Sequence, residues 1–293
     1  MNTHFFFIIN SRIDSNKKNE LLQAIQAHLT NYSLHFTEYA GHAVDLCKQA
    51  IQQKDQIIVA VGGDGTVNEV IQVLSNKNYP FAIIPTGSGN GLARHCKIPI
   101  QITAAVKLLK SGKFISIDLG KANERYFISN AGVGFDAHVC ESIRHTKSRG
   151  LKMYFLHVLK HYLSYKNDEY EIESEEKNIV QSAFLLNVAN GKEFGYGFQI
   201  APNASLKDGL FDVVIVKKMN LLKSIPFVID GWKSNLHRNR NCIYFKTKKI
   251  TLKGKKLKYF QTDGEAHPCD GICDIELIKD ALLLLVPNEL ENI

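Results

Sequence analysis

An α/β domain followed by an all-β domain is the fold that the order of apolar segments predicts. Up to about residue 118, helix-period segments such as 19–29 and 43–52 alternate with short apolar runs such as 57–61 and 81–84, the pattern of a parallel sheet covered by helices in three layers. From Tyr126 onward the pattern changes. Residues 183–188, 211–216, 242–245, 249–252 and 275–277 read as strands separated by turn residues, which implies an antiparallel β-sandwich. The expected domains are 1–120 and 121–281. The connection between them is short, because no repeat or low-complexity linker intervenes. One long helix is expected in the second zone, between Ile143 and Lys166, with Leu151, Tyr154, Phe155, Val158, Leu159 and Tyr162 at helical spacing.

Composition sets the class. In 293 residues that are 45% hydrophobic and 22% charged, the chain can bury one large core or two ordinary ones, which argues against disorder. The apolar run at the amino terminus is of strand length and lacks a basic leader, and Ala281-Leu282-Leu283-Leu284-Leu285-Val286 is far shorter than the roughly 20 residues of a spanning helix. Cysteines at 47, 96, 140, 242, 269 and 273 are scattered, as in a reducing cytoplasm. Cys269, Cys273 and His267 lack a fourth ligand at metal-site spacing. Lys plus Arg number 36 against 29 Asp plus Glu. The lysines of 246–258 alternate with strand residues, without aromatic platforms or a recognition helix, so they read as a solvated strand face and no nucleic acid is expected.

The chemistry is concentrated in two glycine-dense segments. Gly62-Gly63-Asp64-Gly65-Thr66-Val67-Asn68-Glu69 directly follows the strand Ile57-Ile58-Val59-Ala60-Val61. Its glycines let the backbone approach a ligand closely, and its N–H groups can cradle anionic oxygens where the next helix begins. Asp64 stands where a metal-bridged phosphate needs a carboxylate. The second segment, Pro85-Thr86-Gly87-Ser88-Gly89-Asn90-Gly91-Leu92-Ala93-Arg94, again leads from a strand into a helix. Two such units in series converge at the carboxyl ends of parallel strands, where open α/β sheets bind ligands. Neither loop is a Walker A sequence or a dinucleotide fingerprint, so a nucleotide site of another design is implied.

These segments, with Asn130-Ala131-Gly132-Val133-Gly134-Phe135-Asp136-Ala137, Ala201-Pro202-Asn203-Ala204, Asp208-Gly209-Leu210 and Asp263-Gly264-Glu265, occur in an order that resembles the diacylglycerol kinase catalytic-domain family, which includes sphingosine and ceramide kinases. The resemblance implies a fold of the NAD kinase/diacylglycerol kinase type, with about 282–293 crossing back to complete the nucleotide-binding domain. It also implies an ATP-dependent lipid kinase that uses Mg²⁺, with diacylglycerol as the leading acceptor and a sphingoid base as an alternative. It places nucleotide phosphates on Gly62, Gly63, Asp64, Gly65, Thr66, Val67 and Asn68, with further contacts from Thr37 and Ser88. Glu265 matches the family's general base, and burial near phosphate would raise its pKa. Asp118 matches a further active-site carboxylate, or else caps a turn. A structural cation is implied at Ser205, Asp208 and Leu210, with Asp212 close by.

The chain departs from the pattern at Asn90-Gly91, where bacterial members commonly carry Asn-Asp; this segment looks more like the sphingosine kinase branch. The missing carboxylate keeps a non-catalytic lipid- or nucleotide-binding regulator as an alternative. NAD kinase is another, because it shares the first motif. Lys147, Arg149, Lys152, Lys160 and Lys166 surround the predicted helix, either as a solvated face or as a contact with anionic headgroups. The expected setting is the cytoplasm, peripheral to the inner face of the membrane, with a homodimer allowed.

Overall fold

A computed structural model describes residues 3–53, 56–144, 146, 151–195 and 197–290. The chain divides into two compact units, Met1–Leu119 with Lys279–Ile293, and Gly120–Ile278. The divisions fall at 119/120 and 278/279, against the expected 120/121 and 281/282.

The first unit contains β1 (His4–Ile9), α1 (Ser15–His28), β2 (Tyr32–Phe36), α2 (His42–Ala50), β3 (Gln56–Gly62), α3 (Asp64–Leu74), β4 (Pro80–Pro85), α4 (Gly91–His95), α5 (Ile102–Ser111) and the start of β5 (Lys113–Ala122). The strands pair in parallel in the order β2-β1-β3-β4, and the end of the chain's last strand adds beside β4, pairing Leu283 with Pro80 and Leu284 with Phe81. Every residue of β3 is buried, as expected of a strand covered on both faces. Phe7, Ile9, Val59, Val61 and Ile84 pack against Leu21 and Ile25 of α1 and against Val106 and Leu109 of α5. The alternate residues Phe6, Ile8, Ile58 and Ala60 are buried on the other face, where α2 packs on β1 and α3 on β3. Helix α1 starts earlier than the predicted 19–29. The Asp14 carboxylate accepts hydrogen bonds from the backbone N–H groups of Asn16 and Lys17 at 3.0 and 3.4 Å, a cap that contributes about 1 kcal/mol.

The second unit continues with β6 (Arg125–Phe127), β7 (Asn130–Gly134), α6 (Phe135–Arg144), α7 (Leu151–Tyr162), β8 (Asp168–Ser174), β9 (Asn178–Ala183), β10 (Leu185–Ala189), β11 (Glu193–Gly195), β12 (Phe198–Gln199), β13 (Phe211–Val216), α8 (Leu221–Trp232), β14 (Cys242–Thr247), β15 (Lys249–Lys253), β16 (Tyr259–Thr262), β17 (Glu265–Pro268) and β18 (Ile272–Val286), whose far end is the strand beside β4. One antiparallel sheet runs β14-β13-β10-β7-β16-β17, and a second pairs β9, β8, β15 and the first half of β18. Val133, Leu186, Phe211, Val213 and Phe260 of the first sheet meet Tyr170, Ile172, Ile250, Leu252 and Ile275 of the second in one core, the sandwich that the turn-separated strands predicted.

Three local expectations change. The helix expected between Ile143 and Lys166 is α7, narrower than that interval, and a separate helix, α6, precedes it and carries Ile143; each buries its own stripe, Phe135, Val139 and Ile143 on one, Tyr154, Val158 and Tyr162 on the other, around Phe184. The run 183–188 breaks at Phe184, which leaves the ladder to stack on Phe135 with ring centroids 4.4 Å apart. Helix α8 was missed; Pro226 within it looks like a helix breaker in sequence.

The β5–β6 hairpin pairs Gly120 with Phe127, and the buried Phe127 ring covers the glycine so closely that a Cβ there would lie 2.0 Å from its Cζ. Gly120→Ala should therefore destabilise the protein by about 1–3 kcal/mol through overpacking, measurable by chemical denaturation. Stability unchanged from wild type would contradict this packing.

Candidate active site

Asn10, Thr37, Gly62 and Thr86 stand at the carboxyl ends of four adjacent strands. The register pairs Ile9 with Val61 and Phe36, and Gly62 with Pro85, while the Thr86 N–H donates to Gly62 O at 2.9 Å. With β1 between β2 and β3, the chain reverses its direction of winding here, at the place where such sheets bind ligands.

The two glycine loops touch each other. A Cβ on Gly87 would lie 2.5 Å from the Gly63 Cα, so backbone excludes a side chain there, and one on Gly89 would lie 2.6 Å from Asp64 Oδ2, so a side chain there would displace the carboxylate. Asp64 is the first residue of α3, and its carboxylate receives the Asn90 N–H on Oδ2 at 2.9 Å and the Gly91 N–H on Oδ1 at 2.6 Å. Asn90 has left-handed backbone at φ 55°, and its side-chain amide bonds both Gly87 N (3.0 Å) and Gly87 O (2.8 Å), closing the second loop on itself. No side chain caps α3, so its first N–H groups lie open beside exposed Asp64, Gly65 and Ser88. That helix end carries partial positive charge and suits an anionic ligand.

Other predicted contacts are committed elsewhere. Thr37 is buried and its hydroxyl accepts from Ser11 N at 3.1 Å; Thr66 is buried and accepts from Asn10 Nδ2 at 2.9 Å. Val67 lies in the core and its N–H is used by Gly63 O. The Asn68 side-chain oxygen accepts from Gln72. The sequence reading missed Lys17, whose ammonium donates to Thr86 O at 2.9 Å beside a cavity of about 400 Å³ also lined by Pro85 and Gly87. A lysine among several on an exposed helix face carries no local signal of this.

Asp118 lies in neither an open site nor a turn. It is buried within β5, and its carboxylate accepts the N–H of Asp280, a residue of β18 with left-handed backbone (φ 51°).

In the second unit Glu265 begins β17, after a two-residue turn in which Asp263 and Gly264 both have positive φ (47° and 84°), the type I′ geometry for which Asp-Gly is suited. The Asp263 carboxylate fixes the hairpin by accepting from Ile128 N (2.8 Å), Ser129 N (2.8 Å) and Asn130 N (3.2 Å). Glu265 is exposed, which corrects the expected burial, because the turn holds it at the rim of the sheet. A buried carboxylate of this unit is Asp136, the second residue of α6, in the motif that begins at Asn130. Burial raises its pKa to about 7, against the opposing hydrogen bonds from Ala137 N and Gln261 Nε2. Gln261 also donates to Asn130 Oδ1 at 2.8 Å, and Asn187 joins at 3.2 Å, a polar network inside the sheet.

At the expected cation position a side chain supplies the positive charge. Lys246 Nζ lies 2.8 Å from Asp208 Oδ2 and 3.0 Å from Asp212 Oδ2, while Asp208 Oδ1 accepts the Leu210 N–H at 3.1 Å. The Ser205 hydroxyl accepts from Lys207 N at 3.2 Å. Burial pulls the Lys246 pKa down, but the bonds to Asp208 and Asp212 outweigh it and the net shift is upward. Among the described residues no group of three or more His, Cys, Asp or Glu is placed to hold a metal.

Comparison with known proteins agrees with this geometry. Residues 4–122 match the diacylglycerol kinase catalytic domain, and residues 129–286 match the YegS C-terminal NAD kinase beta sandwich-like domain. The chain is 30% identical over 251 residues to a diacylglycerol kinase of Bacillus subtilis (strain 168), covering 84% of this chain and 83% of that one. It is 27% identical over 293 residues to a Yersinia pseudotuberculosis protein named "Probable lipid kinase YegS-like", covering 97% of each. A crystal structure of a diacylglycerol kinase from Bacillus anthracis str. Sterne has the same fold, with a TM-score of 0.78 at 22% identity over 99% of both chains. The chain belongs to the diacylglycerol kinase catalytic-domain family and is an ATP-dependent lipid kinase. Among the described residues, no helix is long and apolar enough to cross a membrane.

The Asp136 shift has a definite sign. A carboxyl whose pKa rises from 3.8 to about 7 on folding holds its proton more tightly in the native state, so stability falls as pH rises across that interval. Asp136→Asn should be more stable than wild type above pH 7, with the gain shrinking to nothing near pH 4, as read from melting temperature against pH. Parallel curves for the two proteins would refute the assignment.

Proposed function

We propose that the acceptor is diacylglycerol and that the glycine loops, Asp64 and Glu265 carry the reaction. The junction at Asp64 carries this reading: one exposed carboxylate holds two phosphate-sized loops together at an uncapped helix end. Backbone N–H groups of Gly63, Asp64 and Gly65, with the Ser88 hydroxyl and the Lys17 ammonium, receive the phosphates of ATP. Thr37 and Thr66 position the loops from beneath. One carboxylate beside substrate phosphates is a donor set that magnesium commonly uses, so Asp64 fits that ion, which when bound neutralises phosphate charge. At the Ser205, Asp208 and Leu210 set the nearest cation is the Lys246 ammonium, which bonds both Asp208 and Asp212 and offsets one of their two negative charges. Asp118 is a positioning residue that holds the Asp280 bend.

In the reaction the acceptor oxygen forms a bond to the γ-phosphorus, the bond to the β,γ-bridging oxygen breaks, and ADP leaves. The hydroxyl proton passes to Glu265, whose exposure and rigid hairpin suit a base that meets a separate substrate. The product, phosphatidic acid, feeds phospholipid biosynthesis. Because the acceptor resides in a bilayer, the protein acts peripherally on the cytoplasmic face of the membrane.

The test is transfer of label from ATP to a panel of acceptors in mixed micelles, with labelled phosphatidic acid expected. Label appearing only in a sphingoid base or in NAD would overturn the acceptor. Asp64→Asn should lose at least about a hundredfold in kcat/KM, since it removes a charge and sets an N–H against the Asn90 or Gly91 donor. Glu265→Gln should lower kcat while leaving the KM for ATP near wild type. A matched loss in both parameters would assign Glu265 a structural role.

A further inference from the structure

We infer that the outer faces of α7 and α8 form a docking surface for an anionic phospholipid bilayer, held by inserted apolar side chains with lysines at its margin. The inference rests on the lipid-kinase reading, because such an enzyme must reach an acceptor in a membrane. Phe155, Leu156 and Leu159 of α7, Leu163 just beyond it, and Ile225, Ile229 and Trp232 of α8 are large apolar side chains with exposures between 45% (Ile229) and 76% (Leu163). On each helix they fall at helical spacing, so each forms a stripe. The opposite faces satisfy the core: Tyr154, Val158 and Tyr162 pack around Phe135 and Phe184, and Phe227 packs on Phe198. Exposed apolar stripes of this kind mark interaction sites.

The two stripes are stitched together. Tyr162 Oη donates to Met219 O at 2.9 Å and Lys218 Nζ donates to Tyr165 O, fixing the end of α7 to the segment that enters α8.

Charge selects the occupant. Residues 151–166 contain no Asp or Glu, and 217–233 contain only Asp230, whose carboxylate accepts from Asn239 Nδ2 at 3.0 Å. Lys160, Lys166, Lys217, Lys218 and Lys233 are exposed around the stripes. A second copy meeting this face symmetrically would set lysines near lysines, whereas anionic headgroups complement them. An amphipathic helix lying in the interface, with a tryptophan at headgroup level, fits the same pattern. Contact through a basic helix was the expectation. Lys147 and Arg149 lie outside the described residues, and what the structure adds is apolar insertion, centred on a helix that the sequence did not reveal.

Trp232 is the one tryptophan of the chain, so intrinsic emission reads this face directly. Vesicles of phosphatidylglycerol and phosphatidylcholine in equal parts should shift the emission of the full-length protein to the blue, and brominated acyl chains should quench it. Ile225→Ser with Ile229→Ser keeps the reporter and should weaken vesicle partitioning at least about tenfold, with an unchanged melting temperature and unchanged phosphorylation of short-chain diacylglycerol in micelles. Absence of any vesicle-induced shift in a protein that phosphorylates micellar lipid would overturn the docking face and leave the kinase reading standing. A shift with vesicles but no labelled lipid would do the reverse. A blue shift that follows protein concentration without vesicles, together with a dimer on size exclusion, would assign the face to a second copy and overturn the inference.

Discussion

The carboxylate of Asp64 is the interaction on which the first unit's site depends. Backbone approaches backbone at Gly63 and Gly87 more closely than any side chain would permit, so nothing between the loops could hold them except hydrogen bonds. Asp64 supplies two, to Asn90 N and Gly91 N, and Asn90 completes the arrangement by closing its own loop. Charged acceptors make stronger hydrogen bonds than neutral ones, which suits a joint exposed to water and to an anionic ligand. The same carboxylate sits at the positive end of α3, where the helix favours a negative charge. The joint between the loops and the charge at the helix end therefore draw on one residue.

The fold was legible where one physical signal dominated. Continuous apolar runs before glycine identified β3 and β4, because strands buried on both faces leave no polar register to read. The antiparallel strands of the second unit announced themselves through their turns, and Asp263-Gly264 is a turn signal in its own right. Helix α8 was hidden by Pro226 and by an apolar composition that blurs periodicity. Phe184 was hidden because a strand-like residue in an apolar run gives no sign that its ring is claimed by Phe135.

The site was legible in part for a similar reason. Gly63, Asp64 and Gly65 adjoin in one glycine loop and Ser88 lies in the other, so each motif carries much of its own local geometry. Thr37, Thr66 and Asp118 are defined by partners far along the chain, Ser11, Asn10 and Asp280, and the sequence gives no measure of which bond each will satisfy. Lys17 and Lys246 belong to the same class. Each brings an ammonium to a point set by tertiary structure, and neither lies in a motif. Asp136 lay within a quoted motif, but its interest comes from burial, which a single sequence does not report.

Gly91 connects these strands of argument. A Cβ at 91 would sit 3.6 Å from Asp64 Oδ1, ordinary contact, so space is not what keeps an aspartate out. An aspartate there would set a second carboxylate near Asp64, and two like charges so close raise one another's pKa unless a cation lies between them. With glycine, Asp64 faces no such repulsion and its oxygens are free to hold Asn90 N and Gly91 N. The loop junction thereby makes its own hydrogen bonds, just as Lys246 supplies a positive charge between Asp208 and Asp212. In both places a position at which the family pattern implies an ion or an acid is balanced by groups of the chain itself. On the proposed reading, a magnesium ion would be held by the substrate phosphates and by the single carboxylate of Asp64.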